Sequence, residues 1–448
     1  MKKIISALLL SVLFLTGLAA CGGGEEEHYE NELIIWSVEG PLMPGYEGRT
    51  DKDSETTRFI LEKFAEVYPD VKVTLVNRGK DTDLHSALQQ AFITNDMPDI
   101  VVGESFIKSE IELGYFQEIE LPDDIKNNVR PELLNMSAMD GKQYGVPFTA
   151  GVDMLIYNET LLKQALGEES SYFDEDGNFI VPADLQTLLS IATTVKNSFD
   201  DQIHGGIQIN NVTGVSSAFR ATYYMGLFGG GWQDANGQLD LVTDENVAAF
   251  EYMRDLVPAA TFGSVGLISE NDIISQFLNG YVAFTIDHPA MIADYTGNNG
   301  VVKVAALPTV SGVSPSSVLV GTLSYMMTTT CVNPPAAQAF LEILCSKEVQ
   351  ELIYTQSSLR LPVRTDVQAE LLASEDPEVL AVHERYLPGL RALYEGDLIA
   401  GLPYFSTNQY TQIWNDNWSA FINDVFTTNN DIRTLLEELQ EQISSKLN

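Results

Sequence analysis

The sequence predicts an α/β protein of two lobes, each a βα sheet sandwiched by helices, and three observations carry that reading. Short apolar runs alternate with helical periodicities over the first hundred residues, the pattern of a parallel sheet with helical crossovers. The pattern restarts after Pro147 with no low-complexity linker between the halves. The 448 residues, 45% of them hydrophobic, supply cores for two or three domains of ordinary size.

Glu32-Leu33-Ile34-Ile35-Trp36 is a short apolar run bounded by polar residues, as a strand buried on both faces requires. Ile60, Phe64 and Val67 recur at helical spacing between Glu55 and Tyr68, and Pro69 ends that helix. Val71 to Val76 reads as a second strand, Leu84 to Ile93 as a second helix and Pro98 to Val102 as a third strand. In a parallel sheet of this kind ligands bind beyond the carboxyl ends of the strands, which puts Ser37 to Glu39 and Gly103 to Ser105 at a cleft edge. In the second half Met154 to Tyr157 and Gly206 to Ile209 read as strands, and Leu185 to Lys196 and Ser217 to Phe228 as helices, the last stopping at Gly229-Gly230-Gly231. From Thr407 onward the pattern is helical, with Tyr410, Trp414, Trp418, Phe421 and Val425 on one face.

Asp and Glu number 63 against 25 Lys and Arg, a net charge of -38 that repels a polyanion and excludes nucleic acid as a partner. The hydrophobic fraction is too high for a disordered acidic chain, so the acidity belongs to the surface of a folded body. Met1-Lys2-Lys3, the apolar run Ile4 to Leu15 and the small residues before Cys21 read as a secretory signal peptide over residues 1–20. Leu18-Ala19-Ala20-Cys21 resembles the lipobox of bacterial lipoproteins, which implies that Cys21 is acylated and that 21–31 is a flexible tether. Anchoring on the outer face of the cell membrane, not spanning it, is the expected address, since no later stretch approaches 18 uninterrupted apolar residues. Three cysteines in so long a chain exclude a disulfide framework, and Cys331 and Cys345 read as buried thiols in preference to a bridge.

The order of several motifs resembles the extracellular solute-binding proteins of carbohydrate ABC importers, the group that includes maltose-binding protein. The likeness is carried by Leu33 to Trp36, by Met97-Pro98-Asp99-Ile100, by Asp140-Gly141-Lys142-Gln143-Tyr144-Gly145-Val146-Pro147 running into Asp153 to Asn158, by Phe277 to Phe284, and by Leu361-Pro362-Val363-Arg364. It implies a periplasmic-binding-protein-like clamp closing over a sugar, with hinge crossings near Pro147, Ala283 and Thr330. On that reading lobe one is 32–147 plus 284–330, and lobe two is 148–283 plus 331–448 with the C-terminal helices. The implied partners are a carbohydrate ligand, the transmembrane subunits of an ABC permease and the membrane through the lipid; a monomer without cofactor or metal is expected.

Sugars present apolar faces to aromatic rings and a rim of hydroxyls to charged and amide groups. Trp36 ends a buried strand and is divided between core and cleft. Trp414 matches a stacking position of the resembled family, with a core stripe of Tyr410, Trp414 and Trp418 as the competing reading. Trp232 follows three glycines, an exposed place for a ring, and Tyr223 or Tyr224 matches a second stacking position, helical spacing allowing only one of them to face the cleft. Glu39 and Glu104, each just past a strand, and Asp153, at the start of one, are the acidic candidates. His288 stands where the family has Gly-Pro-Trp, the Trp position being Ala290, so Asp287 and His288 are possible polar replacements. Arg360 is a candidate for hydroxyls or an anionic group.

A glycoside-active enzyme needs one acid of raised pKa and a second carboxylate at a set separation, and no such pair is identifiable. There is no nucleophile elbow, His-Glu-x-x-His or phosphate loop, and the histidines at 28, 85, 204, 288 and 383 have no metal-site spacing. A binding protein, not an enzyme, is therefore expected, with a receptor of the same fold for a non-sugar solute as the remaining alternative.

Overall fold

The computed structural model describes residues 30–38, 40–79, 82–103, 107–199, 203–209, 215–260, 275–287, 300–310, 313, 317–356, 361–396, 398–400 and 413–447. Strand β1 (Glu32–Ser37) lies between β2 (Lys72–Asn77) and β3 (Ile100–Gly103), parallel to both. Leu33, Ile34, Ile35 and Trp36 are all buried, as a central strand covered on two faces must be. The helix Lys52–Val67 starts on Asp51, whose carboxylate accepts from the Ser54 amide at 3.0 Å, and it buries Ile60 and Phe64.

A tight hairpin follows, β4 (Ala138–Met139) and β5 (Lys142–Gln143), turning on Asp140 and Gly141 at φ of 51° and 76°. An Asp-Gly pair suits that turn because both central residues take positive φ. Strand β6 (Gly145–Val152) then runs into β7 (Met154–Asn158) through the single residue Asp153. β6 pairs with β11 (Ser317–Met327) in the first sheet, ordered β12-β11-β3-β1-β2 with β12 at Leu398–Ala400. β7 belongs to the second sheet, ordered β10-β7-β9-β8, with β8 at Gly205–Ile207, β9 at Val282–Asp287 and β10 at Val302–Ala305.

Two lobes follow, but the chain is shared between them differently from the division expected above. β9 and β10 belong to the second sheet, so Val282–Asp287 and Val302–Ala305 fall in lobe two. The helices Pro334–Leu344, Lys347–Gln356, Thr365–Leu372 and Pro377–Glu395 pack into the core under the first sheet, Phe340 meeting Phe64 with ring centroids 5.4 Å apart. The crossings are accordingly at Asp153, between Ala305 and Ser317, and between Ala400 and Ile413. Pro147 sits inside β6, Ala283 inside β9, and Thr330 beyond the far end of β11. An apolar strand announces burial but not which sheet it joins, and that is why the sequence misplaced these boundaries.

Asp99 ties lobe one together. Its buried carboxylate accepts from the amides of Ile34 (2.8 Å) and Val332 (3.0 Å), joining the start of β1 to the turn after β11. Arg364, 2% exposed and at the start of the helix Thr365–Leu372, joins Asp366 (2.7 Å) of that helix to Asp124 (3.1 Å) of the helix Asp123–Asn128. Neither remaining cysteine is bridged; burial pushes both thiols up to about 12. Among the described residues no helix is long and apolar enough to cross a membrane.

Asp99→Ala strands the buried Ile34 amide and removes the partner of the half-buried Val332 amide, and denaturant unfolding is expected to show a loss of about 2 kcal/mol or more; a loss below about 1 kcal/mol would mean that the two amides find other partners.

Candidate functional site

β1, β2, β3 and β6 share one direction, so their carboxyl ends form one edge of lobe one, and β6 leaves that edge directly into lobe two. In lobe two β8, β9 and β10 all run against β7, so their carboxyl ends face back toward lobe one. The two carboxyl edges thus oppose each other across the crossings. Within lobe one the connection after β1 leads to the helix Lys52–Val67, which meets Phe340. That after β3 leads to Ile107, packed beside Met326 and Gly103. In open α/β sheets ligands bind beyond the carboxyl ends of the strands, and this edge is the corresponding place here.

On the lobe-one side of the crevice between the opposed edges Ser37 and Tyr325 are fully buried and share a hydrogen bond of 2.9 Å. Trp36 is 3% exposed with the Arg78 guanidinium 4.8 Å over its ring, and its indole nitrogen has no hydrogen-bond partner among the described residues. His85, in the first turn after β2, meets Glu110, in the helix after β3, at 3.1 Å, while Gln89 bonds the other ring nitrogen at 2.9 Å. Burial raises the Glu110 carboxyl, and His85 opposes that shift.

On the lobe-two side Asp153 and Asp287 are buried beside Arg220, which bonds Asp287 at 3.3 Å. Burial, and then the charge of Asp287, push the Asp153 carboxyl well above the usual range against the pull of Arg220; one of its oxygens has no hydrogen-bond partner among the described residues. Tyr223 and Tyr224 lie beside this group with ring centroids 4.3 Å apart, both raised by burial. Met154 packs toward Gly389 of the helix Pro377–Glu395. Beside that helix lies an interlobe cavity of about 540 Å³, lined by Met154, Leu227, Leu307, Leu387, Arg391 and Glu395 among others. Val152 and Asp153 line the same cavity, so the first crossing borders it directly.

Asp153 stands at the crossing and Trp36 at the end of β1, buried against Arg78. Both Tyr223 and Tyr224 are buried at 3% exposure, so neither is an exposed platform. Two readings are corrected. Trp232 and Trp414 sit in the interior of lobe two at 4% and 0% exposure, their rings 5.2 Å apart and both packed on Trp418. The Trp232 indole donates to the Thr222 hydroxyl at 2.8 Å. The three glycines do not expose this ring: a side chain at Gly230 would meet Asn246 at 2.2 Å, so glycine there lets the chain turn inward. Asn246 clamps the turn through Gly231 on both its amide and its carbonyl. Glu39, Glu104, His288, Arg360 and Cys21 lie outside the described residues. Arg220 was missed, although a lone Arg inside the apolar helix Val215–Leu227 is itself a signal, because a buried guanidinium needs an acidic partner. Among the described residues no group of three or more His, Cys, Asp or Glu is placed to hold a metal ion.

Two α/β lobes that oppose their carboxyl edges across strand crossings, with an interlobe cavity beside the first crossing, define a hinge-closing binding protein. The chain belongs to the family of bacterial extracellular solute-binding proteins, which it matches over residues 60–381. It is 22% identical over 346 residues to a maltooligosaccharide ABC transporter solute-binding lipoprotein of Streptococcus pneumoniae, covering 73% of this chain and 74% of that one. An arabinooligosaccharide-binding protein of Halalkalibacterium halodurans is 24% identical over 255 residues, 52% of this chain and 47% of that one. The crystal structure of a cyclic α-maltosyl-1,6-maltose binding protein from Arthrobacter globiformis superposes with a TM-score of 0.72 at 16% identity, covering 93% of this chain and 98% of that one.

Trp414→Ala and Trp232→Ala are expected to lower unfolding free energy by about 3 to 5 kcal/mol, as loss of a buried ring does; wild-type melting temperatures would return these rings to the surface. Asp153 has its folded pKa raised, so it favours the folded state below the unfolded value of about 3.9 and loses that contribution as pH rises through the raised value. Because Arg220 keeps Asp287, Asp153→Asn is expected to melt above wild type near pH 7.5, the gap closing as pH falls to about 4. A lower melting temperature at neutral pH would show that the ionised carboxylate stabilises the fold.

Proposed function

We propose that this protein captures a sugar or oligosaccharide between its lobes and delivers it to an ABC permease, held at the outer face of the membrane by lipid on Cys21. The observation that carries the reading is the crevice at the opposed carboxyl edges, bordered by hydroxyls, carboxylates, an arginine and aromatic rings. That mixture suits a ligand with apolar faces and a hydroxyl rim. The relatives named above for maltooligosaccharide and arabinooligosaccharide support the same ligand class. Asp153, Arg220 and Trp36 are the described residues proposed to border the ligand, with Glu39, Glu104, His288 and Arg360, outside the described residues, proposed from the sequence alone. The protein binds and releases its ligand unchanged.

The soluble domain lacking residues 1–21 is expected to bind one member of a sugar panel at one site per chain. Ligand at about 100 times its dissociation constant adds roughly 2.7 kcal/mol, an upward thermal shift that is easily read. No shift with any mono- or oligosaccharide, or chromatographic detection of a cleaved product, would overturn the reading. For the anchor, Cys21→Ser is expected to move the protein from the membrane fraction into the medium or leave it as precursor, while normal retention would exclude lipid at Cys21.

A further inference from the structure

The edge of lobe one opposite the crevice carries a feature that solute capture does not use. β1, β2 and β3 begin at this edge, β11 ends there, and the helices Lys52–Val67 and Thr82–Thr94 finish there. Ten large apolar side chains are exposed among the described residues, and five of them, Val67, Phe92, Ile93, Leu113 and Val332, gather on this edge. Ile93 is the extreme case at 82% exposure. Apart from Val67, at the end of its own helix, the members are linked. The Phe92 ring lies 4.3 Å from that of Tyr115, two residues after Leu113; the Thr329 amide donates to the Tyr115 carbonyl at 2.9 Å, and Val332 follows three residues on. Asn333 then donates to the Glu30 carbonyl at 2.7 Å, so the apolar group surrounds the point where the chain enters from its amino-terminal segment.

We propose that this edge rests on the lipid headgroup layer, an inference that depends on the anchor at Cys21. Eight residues, and so nine Cα–Cα steps, separate Cys21 from Glu30. Fully extended they span at most about 30 Å, and a Gly-rich chain of that length averages roughly 15 to 18 Å between its ends. So short a tether holds the edge beside the bilayer at an effective concentration near the millimolar range, where weak apolar contacts count. Apolar contact, not charge, drives the docking: Glu30, Glu66, Asp70, Asp96 and Glu112 at or near the edge outnumber Lys63 and Lys72. The surface that fits is therefore zwitterionic headgroups with the tops of the acyl chains, and an anionic layer weakens the contact by repulsion. In this pose β1 points from the bilayer toward the crevice, which opens to the medium about 20 Å further out, the length of a six-residue strand.

The test uses the chain from Cys21 onward, coupled through the Cys21 thiol to maleimide-bearing lipid in phosphatidylcholine vesicles. Cys345 is buried and the half-buried Cys331 is held at about 12, so Cys21 is the reactive thiol. The four natural tryptophans are at most 4% exposed and do not reach lipid. Ile93→Trp and Leu113→Trp are expected to lose emission when lipid brominated near the top of the acyl chain is included, and to recover part of it when anionic lipid is mixed in. Ile203→Trp, on lobe two, is expected to keep its emission throughout. Equal quenching at all three positions, or none at Ile93→Trp, overturns the proposal. So does a concentration-dependent blue shift of Ile93→Trp without vesicles, which would make a second copy of the chain the occupant. Mass analysis of the membrane-extracted protein separates the two ideas: no lipid on Cys21 removes the anchor and this pose with it, whereas lipid on Cys21 with no selective quenching removes the pose alone.

Discussion

The constraint on which the architecture depends is that one extended segment, Gly145–Asn158, serves two sheets. Its first eight residues are hydrogen-bonded into lobe one through β11 and its last five into lobe two between β9 and β10, with Asp153 as the only residue between. A strand has a direction, so this continuity decides which ends of the two sheets meet. β6 arrives with its carboxyl end at the junction, and the parallel strands of lobe one present theirs beside it. β7 leaves in the opposite sense to β8, β9 and β10, which therefore return their carboxyl ends to the same junction. The crevice is a consequence of strand polarity at one residue.

The same junction explains the electrostatics. An Asp in a one-residue crossing between two cores is removed from water on both sides, and a buried carboxylate is tolerated only with compensation. Arg220 supplies part of it, but Arg220 is already engaged with Asp287 at 3.3 Å, so two carboxylates share one guanidinium. The result is a carboxyl pushed upward in a chain whose exposed acids, such as Asp51 and Asp174, are held below their usual range by local hydrogen bonds. Charge on the surface of this protein is solvated and locally paired, whereas charge at the crossing is concentrated and incompletely compensated. That contrast makes the crossing the chemically distinctive part of a strongly acidic molecule.

Aromatic residues divide in a similar way. Three of the four tryptophans build the interior of lobe two, with indole donors of Trp232 and Trp418 satisfied by the hydroxyls of Thr222 and Ser217. Buried indoles need such partners, and helical spacing of Trp414 and Trp418 fits a core stripe as well as it fits a platform. What remains at the crevice is Trp36 under a guanidinium and the tyrosine pair beside Asp153. The ring surface of lobe two was largely invested in stability.

The fold class, the parallel strands of lobe one and the helix ending at Pro69 were legible in the sequence, because each depends on residues close together in the chain. Apolar runs, caps and turn chemistry act over a few positions, and a restart of the pattern after Pro147 announced a second lobe. The direction of the predicted parallel strands put Ser37 to Glu39 and Gly103 to Ser105 at a cleft edge, and the order of the motifs pointed to the family. Sequence order did not determine which sheet β9 and the helices after Thr330 join, whether Gly229-Gly230-Gly231 turns Trp232 outward or inward, or that Arg220 meets Asp287 across 67 positions. Those outcomes depend on contacts between segments far apart, where an apolar strand or a tryptophan satisfies either environment equally well. Only closure of the complete core selects between them.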